Sequence, residues 1–417
     1  MAEIISANYY QAIMKRIRQA IAENAFEHIM WFGDCHMVSL IYDYLAADGH
    51  LITAVIDNDP SKQGQVIERN WCMPFTFGYT KTDKEQVDLL VAGRTFPSLR
   101  IIAPGRIFHY TQNIRQILFF TSSYRSHEMR RQLLSMGADP CKIIELPTEQ
   151  ELWEDACRHV HSLTESKRQM EPAEHKETLL SILAEFAGYC EANHLRYYLA
   201  YGTLIGAVRH KGFIPWDDDI DILMPAEDYG KFIRQYRGNG KYEVLDYTTN
   251  DDYFFPFAKL TDNGTYLHHF GCPITWMQGT YIDLFPMSGF ENGICFEEQW
   301  KHHTLLDVKW YWYYLSKGIT SHAVKDCRSE ILMEKHKIGF DHADYVGVLT
   351  TIPAKPWMLR KEIFADVCKL PFEGRLYNAP VDYDRYLRGV YGDYMKLPPE
   401  EEQRIHGFPS YRRMTGK

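Results

Sequence analysis

The 417-residue chain has no apolar run near the roughly 20 residues that a membrane-crossing helix needs. Its opening, MAEIISANYYQAIMKRIRQ, also lacks the unbroken apolar core of a secretion signal. These absences lead to the expectation of a cytoplasmic protein without a transmembrane segment, leaving peripheral contact at the inner face of a membrane open. The nine cysteines, Cys35, Cys72, Cys141, Cys157, Cys190, Cys272, Cys295, Cys327 and Cys368, are scattered and never form a CxxC pair. Reduced thiols are expected, not a disulfide frame or a zinc knuckle. Excess positive charge is missing too, because 46 Lys and Arg face 55 Asp and Glu. The net charge of −9 argues against a nucleic-acid partner held through its phosphates, though not against a local basic pocket. No internal repeat or low-complexity tract is present. With apolar residues at 45%, the chain is not disordered, and its length suits two or three domains.

In the first half, short apolar runs alternate with helical patterns. A helix is expected over 9–27, then strands at 28–33, 51–57, 86–93, 116–122 and 141–147, with a helix over 127–138. Such alternation predicts a mostly parallel sheet covered on both faces. The opening has the outline of a dinucleotide fold, but its phosphate turn is wrong. Where GxGxxG would stand, the chain has Gly33-Asp34-Cys35-His36-Met37-Val38, and Asp34 would oppose a pyrophosphate. The turn-rich run Asp57-Asn58-Asp59-Pro60-Ser61-Lys62-Gln63-Gly64 resembles a loop in Rossmann-like domains of bacterial sugar-modifying enzymes. A polar stretch over 148–178 then marks a boundary.

The second half carries the chemistry. A helix with an apolar stripe is expected over 177–193, followed by a strand over 196–202 and a short helix opened by Gly202-Thr203. The early N–H groups of that helix and the Thr203 hydroxyl suit a phosphate oxygen. In HKGFIPWDDDIDILMP (210–225), strand alternation would place Asp217, Asp219 and Asp221 on one face, with Asp218 opposite. Neighbouring carboxylates repel, so the pattern suits a hard divalent cation better than a solvated turn. Asp283 is the lone charge in YIDLFPMSG (281–289), an expensive placement unless it is paired or metal-bound. Three acids, an oxygen-ligand cation and a Gly-Thr turn fit phosphoryl transfer, with Asp283 alternatively taking a proton from the attacking hydroxyl.

The run LLSILAEFAGYCEANHLRYYLAYGTLIGAVRHKGFIPWDDDIDILMP (179–225), with FAKLTDNGT (257–265), YIDLFPMSG (281–289) and YGDYMKLPPEEEQR (391–404), resembles the LicD family. These are lipopolysaccharide and teichoic-acid cholinephosphotransferases, in one superfamily with fukutin-like proteins. The likeness spans about 176–417. It implies a nucleotidyltransferase-type fold, with Gly202-Thr203 before the metal ligands Asp219 and Asp221, and Asp283 on a later strand as the third acid. It further implies transfer of a phospho-alcohol such as phosphocholine from a CDP-linked donor, for example CDP-choline. The acceptor would be a hydroxyl of a glycan or lipid-linked glycan of the cell envelope, and CMP would be released.

The expected architecture is therefore α/β and α+β. A Rossmann-like parallel-sheet domain covers 1–150 and a helical linker 151–176. A LicD-like nucleotidyltransferase-fold phosphotransferase domain with helical insertions covers 177–417 and uses Mg²⁺ or Mn²⁺. Asp219, Asp221 and Asp283 form the catalytic and metal set. Gly202, Thr203, Arg209, Lys211, Trp216, Asp217 and Lys259 form the substrate and phosphate set. For Arg209, Lys211 and Lys259 the alternatives are ion pairing or plain exposure, and for Trp216 packing against the Pro215 turn. The five aromatics Trp310 to Tyr314 read as core of a helical insertion before they read as a quaternary-ammonium box. Competing functions are nucleotidyl transfer of an NMP to a sugar or sugar phosphate, and a non-catalytic binding module.

Overall fold

Runs of aliphatic, aromatic and β-branched residues become strands in both halves of the chain, and amphipathic segments between them become helices. The computed structural model describes residues 7–33, 49–67, 98–122, 125–147, 167–250, 255–271, 274–291, 328–348, 358–400 and 409–413, with a few isolated positions between. The sequence-predicted strand at 86–93, the turn at 34–37 and the aromatic run 310–314 lie outside the described residues.

After α1 (Tyr9–Glu23) come β1 (His28–Gly33), β2 (Ile52–Ile56), β3 (Leu99–Ile102), β4 (Ile117–Ser122), α2 (Ser126–Ser135) and β5 (Ile143–Leu146). The five strands pair in parallel in the order β3-β2-β1-β4-β5. Ile29, Met30, Trp31 and Phe32 are all buried, so both faces of the central strand are covered. Met30, Phe32 and Phe119 share one core with Leu133 of α2. On the opposite face, Trp31 Nε1 donates to Ser122 Oγ at 2.9 Å.

The second half opens with α3 (Pro172–Ala192), whose first residue is a proline that lacks only an N–H the helix start would leave unused. Leu179, Ile182, Leu183, Phe186, Ala187 and Cys190 on its buried stripe pack into a large core with the following sheet. The elements that matter next are β6 (Tyr198–Leu199), α4 (Tyr201–Ile205), β7 (Asp221–Pro225), α5 (Ala226–Gln235), β8 (Tyr242–Leu245) and β9 (Ala258–Asp262). They are followed by β10 (Thr265–Gly271), β11 (Ile274–Gln278) and β12 (Tyr281–Gly289). The sheet order is β8-β9-β12-β7-β6, extended by β13 (Tyr345–Val348) against the far end of β12. Only the β7–β12 pair is parallel within this order. After α6 (Arg328–Lys337), a β-hairpin of β14 (Val367–Phe372) and β15 (Arg375–Pro380) precedes α7 (Tyr383–Tyr391), and β16 (Ser410–Arg412) pairs with β10. Among the described residues Cys141, Cys190 and Cys368 are free thiols, and no helix is long and apolar enough to cross a membrane.

Two expectations are corrected. The strand through the acids is shorter than alternation predicts, because β7 begins only at Asp221. Pro215 occupies the second position of a turn in which the Asp217 N–H donates to the Ile214 carbonyl at 2.9 Å, so the chain bends where a strand would have lined up three carboxylates. The strand expected over 196–202 is confined to Tyr198–Leu199, because α4 begins at Tyr201 and takes Gly202 and Thr203 into its first turn.

One ion-pair network fastens the end of the chain to α3. Glu174 accepts from Arg412 Nε at 2.6 Å and from Arg168 Nη2 at 2.7 Å. These two guanidiniums hold its carboxyl down to about 2, from an ordinary value of 4.5. A depressed carboxylate stabilises the fold above its unfolded value and loses that contribution as pH falls. Glu174→Gln is therefore expected to lower Tm at pH 7, and to flatten the fall in Tm between about pH 4.5 and 2. A pH series of thermal melts for both proteins checks this.

Candidate active site

The parallel register of β7 and β12 sets Asp221 directly beside Asp283. On the other side of β12, antiparallel β9 sets Lys259 opposite the same Asp283. Directly opposed residues share a sheet face, so register alone forms a row of acid, acid and ammonium. Lys259 Nζ lies 2.5 Å from Asp283 Oδ1, and the lysine side chain is 2% exposed. Its ammonium also stands 3.5 Å from the centroid of the Tyr281 ring, 4.5 Å from that of Phe255 and 5.3 Å from that of Phe257. An aromatic cage and one carboxylate replace the water this ammonium has lost. Burial lowers the Lys259 pKa, and the Asp283 charge opposes that shift.

The loop before β7 is held by short-range contacts. Thr203 Oγ1 accepts from the Asp221 N–H at 2.9 Å, and the Ile220 carbonyl accepts from the Asp283 N–H at 2.8 Å. A Cβ on Gly202 would stand 2.5 Å from Asp217 Oδ2, so only glycine lets that carboxylate lie against the first turn of α4. From α3, the buried His175 donates through Nε2 to the Asp218 carbonyl at 3.1 Å. Burial pushes the Asp221 carboxyl well above the usual range; the charges on Asp219, Asp283 and Asp217 push it the same way, opposed by Lys259.

The remaining sequence-predicted residues fall at several places. Arg209 directs Nη1 to the Tyr394 carbonyl at 2.6 Å, tying α4's continuation to the segment after α7. Lys211 donates to the Val208 carbonyl at 3.0 Å, and Trp216 packs half-buried against the core. Thr203 is committed to the Asp221 backbone and Lys259 to Asp283, where sequence reasoning had directed both to donor phosphates. Three tyrosines were missed. Tyr201 has an unusual φ of +46° and donates its N–H to the Tyr386 hydroxyl at 3.4 Å. Tyr391 ends α7 as a partly exposed residue; burial of its hydroxyl, and then the charges of Asp221, Asp217 and Asp219, raise its phenol pKa. Tyr391 stood in the quoted C-terminal motif, but nothing in the sequence connected it to acids 170 residues earlier.

Among the described residues, no three His, Cys, Asp or Glu side chains are gathered as a ready metal cage. The donor set is nevertheless the right one for a hard cation, being all carboxylate and short of positive charge. Mg²⁺ is usually held by one or two carboxylates plus substrate phosphates and water, so Asp219 and Asp221 with an incoming phosphate would suffice. The lysine on Asp283 leaves that residue at the margin of such a site.

The fold and the acid row define a mixed α/β enzyme of the nucleotidyl- and phosphotransferase class. Residues 194–322 match the LicD/FKTN/FKRP nucleotidyltransferase domain. The chain is similar to the lipopolysaccharide cholinephosphotransferase LicD of Haemophilus influenzae, with 32% identity over 253 residues, covering 54% of this chain and 92% of that protein. It is 31% identical over 116 residues to the human ribitol 5-phosphate transferase FKRP, covering 28% of this chain and 21% of that protein. A 77-residue stretch is 36% identical to an uncharacterized protein of Rickettsia prowazekii, covering 18% of this chain and 28% of that protein. The chain belongs to the LicD family.

The strained ionisation of Asp221 has a measurable consequence. A carboxyl whose folded value is raised stabilises the fold in acid and loses that contribution as pH rises through the raised value. Without added metal, Asp221→Asn is expected to melt at a higher temperature than wild type at pH 7. The gap should narrow in acid, which a pair of thermal melts measures.

Proposed function

We propose that this protein transfers a phospho-alcohol head group from a CDP-linked donor to a hydroxyl of an envelope glycan or its lipid-linked precursor, releasing CMP. The observation that carries the reading is the register-matched row of Asp221, Asp283 and Lys259. The names of the bacterial and human relatives support a phosphorylated alcohol as the transferred group. Asp219 and Asp221 hold Mg²⁺ or Mn²⁺. When bound, the cation neutralises donor phosphate oxygens and stabilises the charge that develops on them.

The chain's own residues do the rest. Asp283 sits at the edge of the site with one oxygen on Lys259, and its other oxygen takes the proton of the acceptor hydroxyl. The acceptor oxygen then bonds to the head-group phosphorus, the bridge to the CMP phosphate breaks, and CMP leaves with the electron pair. Gly202 and Thr203 set the position of Asp217 and Asp221. Arg209, Lys211 and Trp216 border the donor, and Tyr391 forms the open wall. Residues 1–150 form a Rossmann-like module, a reading supported by the β3-β2-β1-β4-β5 order, with 151–176 as linker and 177–417 as the transferase domain. On this reading the protein acts in the cytoplasm, where lipid-linked acceptors at the inner face of the membrane are within reach.

The same acids would serve nucleotidyl transfer, in which the NMP itself passes to a sugar phosphate. Purified protein offered a panel of CDP-linked donors with Mg²⁺ or Mn²⁺ is expected to release CMP with at least one, with the head group recovered on the acceptor. Asp283→Asn should lower that turnover by about a hundredfold or more. Turnover of another nucleotide alone, leaving NMP on the acceptor, would establish the second reading. Unimpaired metal and nucleotide binding by Asp219→Ala and Asp221→Ala would point to a non-catalytic module.

A further inference from the structure

Four non-glycine residues among those described have a left-handed backbone: His194, Tyr201, Lys211 and Glu373. Two of them meet. The Glu373 N–H donates to the Lys211 carbonyl at 3.0 Å, although 162 residues separate them. Glu373 and Gly374 are the two-residue turn of the β14–β15 hairpin, with φ of +47° and +77°. That is the geometry of a type I′ turn, whose first position favours asparagine, aspartate or glycine and disfavours glutamate. Turn chemistry therefore does not account for Glu373.

Its side chain offers a reason. Glu373 Oε1 accepts the Phe213 N–H at 3.0 Å, and a Cβ on Gly212 would stand 2.1 Å from the same oxygen. The adjacent Phe372 meets Phe213 edge to face at 5.0 Å between ring centroids. Gly212 in turn lies against Gly206, where a Cβ would stand 2.4 Å from the Gly212 carbonyl. The hairpin tip thus grips 211–213, the segment that leaves α4's continuation and leads into the turn bearing Asp217, Asp218 and Asp219.

We infer that Glu373 is a positioning residue, a latch on Phe213 that fixes the path of the acid-bearing loop into β7. It touches no substrate and acts through the Phe213 backbone. The inference rests on the proposed transferase reading only for its effect on turnover; the latch itself is a property of the loop. A strained residue kept for a contact of this kind is the pattern expected at functional sites.

Glu373→Asn separates the latch from the turn. Asn-Gly is the preferred type I′ pair, so the hairpin should hold, while the shorter side chain cannot reach Phe213. The expected result is a Tm equal to or above wild type, faster amide hydrogen exchange at Phe213, and turnover lower by about ten- to a hundredfold. Glu373→Gln keeps an accepting oxygen and should restore both exchange and turnover. Wild-type exchange at Phe213 in Glu373→Asn would overturn the latch. So would a Tm loss that tracks the activity loss and is not rescued by glutamine, since that would make Glu373 a staple of the fold. If wild-type protein turns over no CDP-linked donor while the exchange pattern holds, the transferase reading fails and the latch stands.

Discussion

The parallel pairing of β7 with β12 forces Asp221 and Asp283 side by side, and the neighbouring strand β9 supplies the ammonium that makes that repulsion tolerable. Like charges on adjacent strands destabilise a sheet, and here Asp217 and Asp219 add to the field. The protein answers with one ammonium, Lys259, sealed in by Tyr281, Phe255 and Phe257. In the proposed reaction a divalent cation and the phosphates it carries would meet this row of acids, a donor set suited to a hard cation.

Rigidity at this place comes from the layers beneath it. The core joining α3 to β7, β9 and β12 is built from fully buried aliphatic and aromatic side chains, including Ile182, Phe186, Ile222, Leu260, Ile282 and Leu284. Apolar neighbours flank Asp283 along β12, so it cannot move to solvent without dragging Ile282 and Leu284 out of the core. Thr203 and Gly202 act more locally. One places an acceptor on the Asp221 N–H, and the other removes a Cβ that would displace the Asp217 carboxylate. The geometry of the acid row is thus fixed by backbone hydrogen bonds and close packing, which are stiffer than long charged side chains.

What could be read in the sequence follows the same division. Asp283 was legible because a single acid in an apolar strand carries its own cost, and the Asp217–Asp221 cluster was legible because it is dense. The pairing partner of Asp283 was not legible, since register between strands 60 residues apart leaves no trace in local periodicity. Alternation misjudged Asp217 to Ile220 because Pro215 imposes a turn that takes precedence over strand propensity. The parallel order of the first-half strands was foreshadowed by helix–strand alternation, with no hint of what that sheet binds. His175 and Glu373 were invisible. Their contacts span 43 and 160 residues, and neither residue type nor local pattern distinguishes them from an ordinary helix-start histidine or hairpin glutamate.

Those invisible residues share a further feature, which is that they stand outside the matched family segment 194–322. Inside that segment lie Asp219, Asp221, Asp283, Lys259 and the α4 turn. Outside it lie His175 on α3, the hairpin carrying Glu373, and Tyr386 and Tyr391 on α7, each touching or facing the acid loop from a different direction. Under the proposed reading the acids must keep their identity, because holding a hard cation and accepting a proton call for carboxylates. The groups that aim them need only deliver a donor or an acceptor to a backbone atom, which many folds of the flanking chain can do. The dense acid segment is therefore among the parts recognisable from sequence, while the contacts that His175 and Glu373 make to the loop leading into β7 are visible only in the fold.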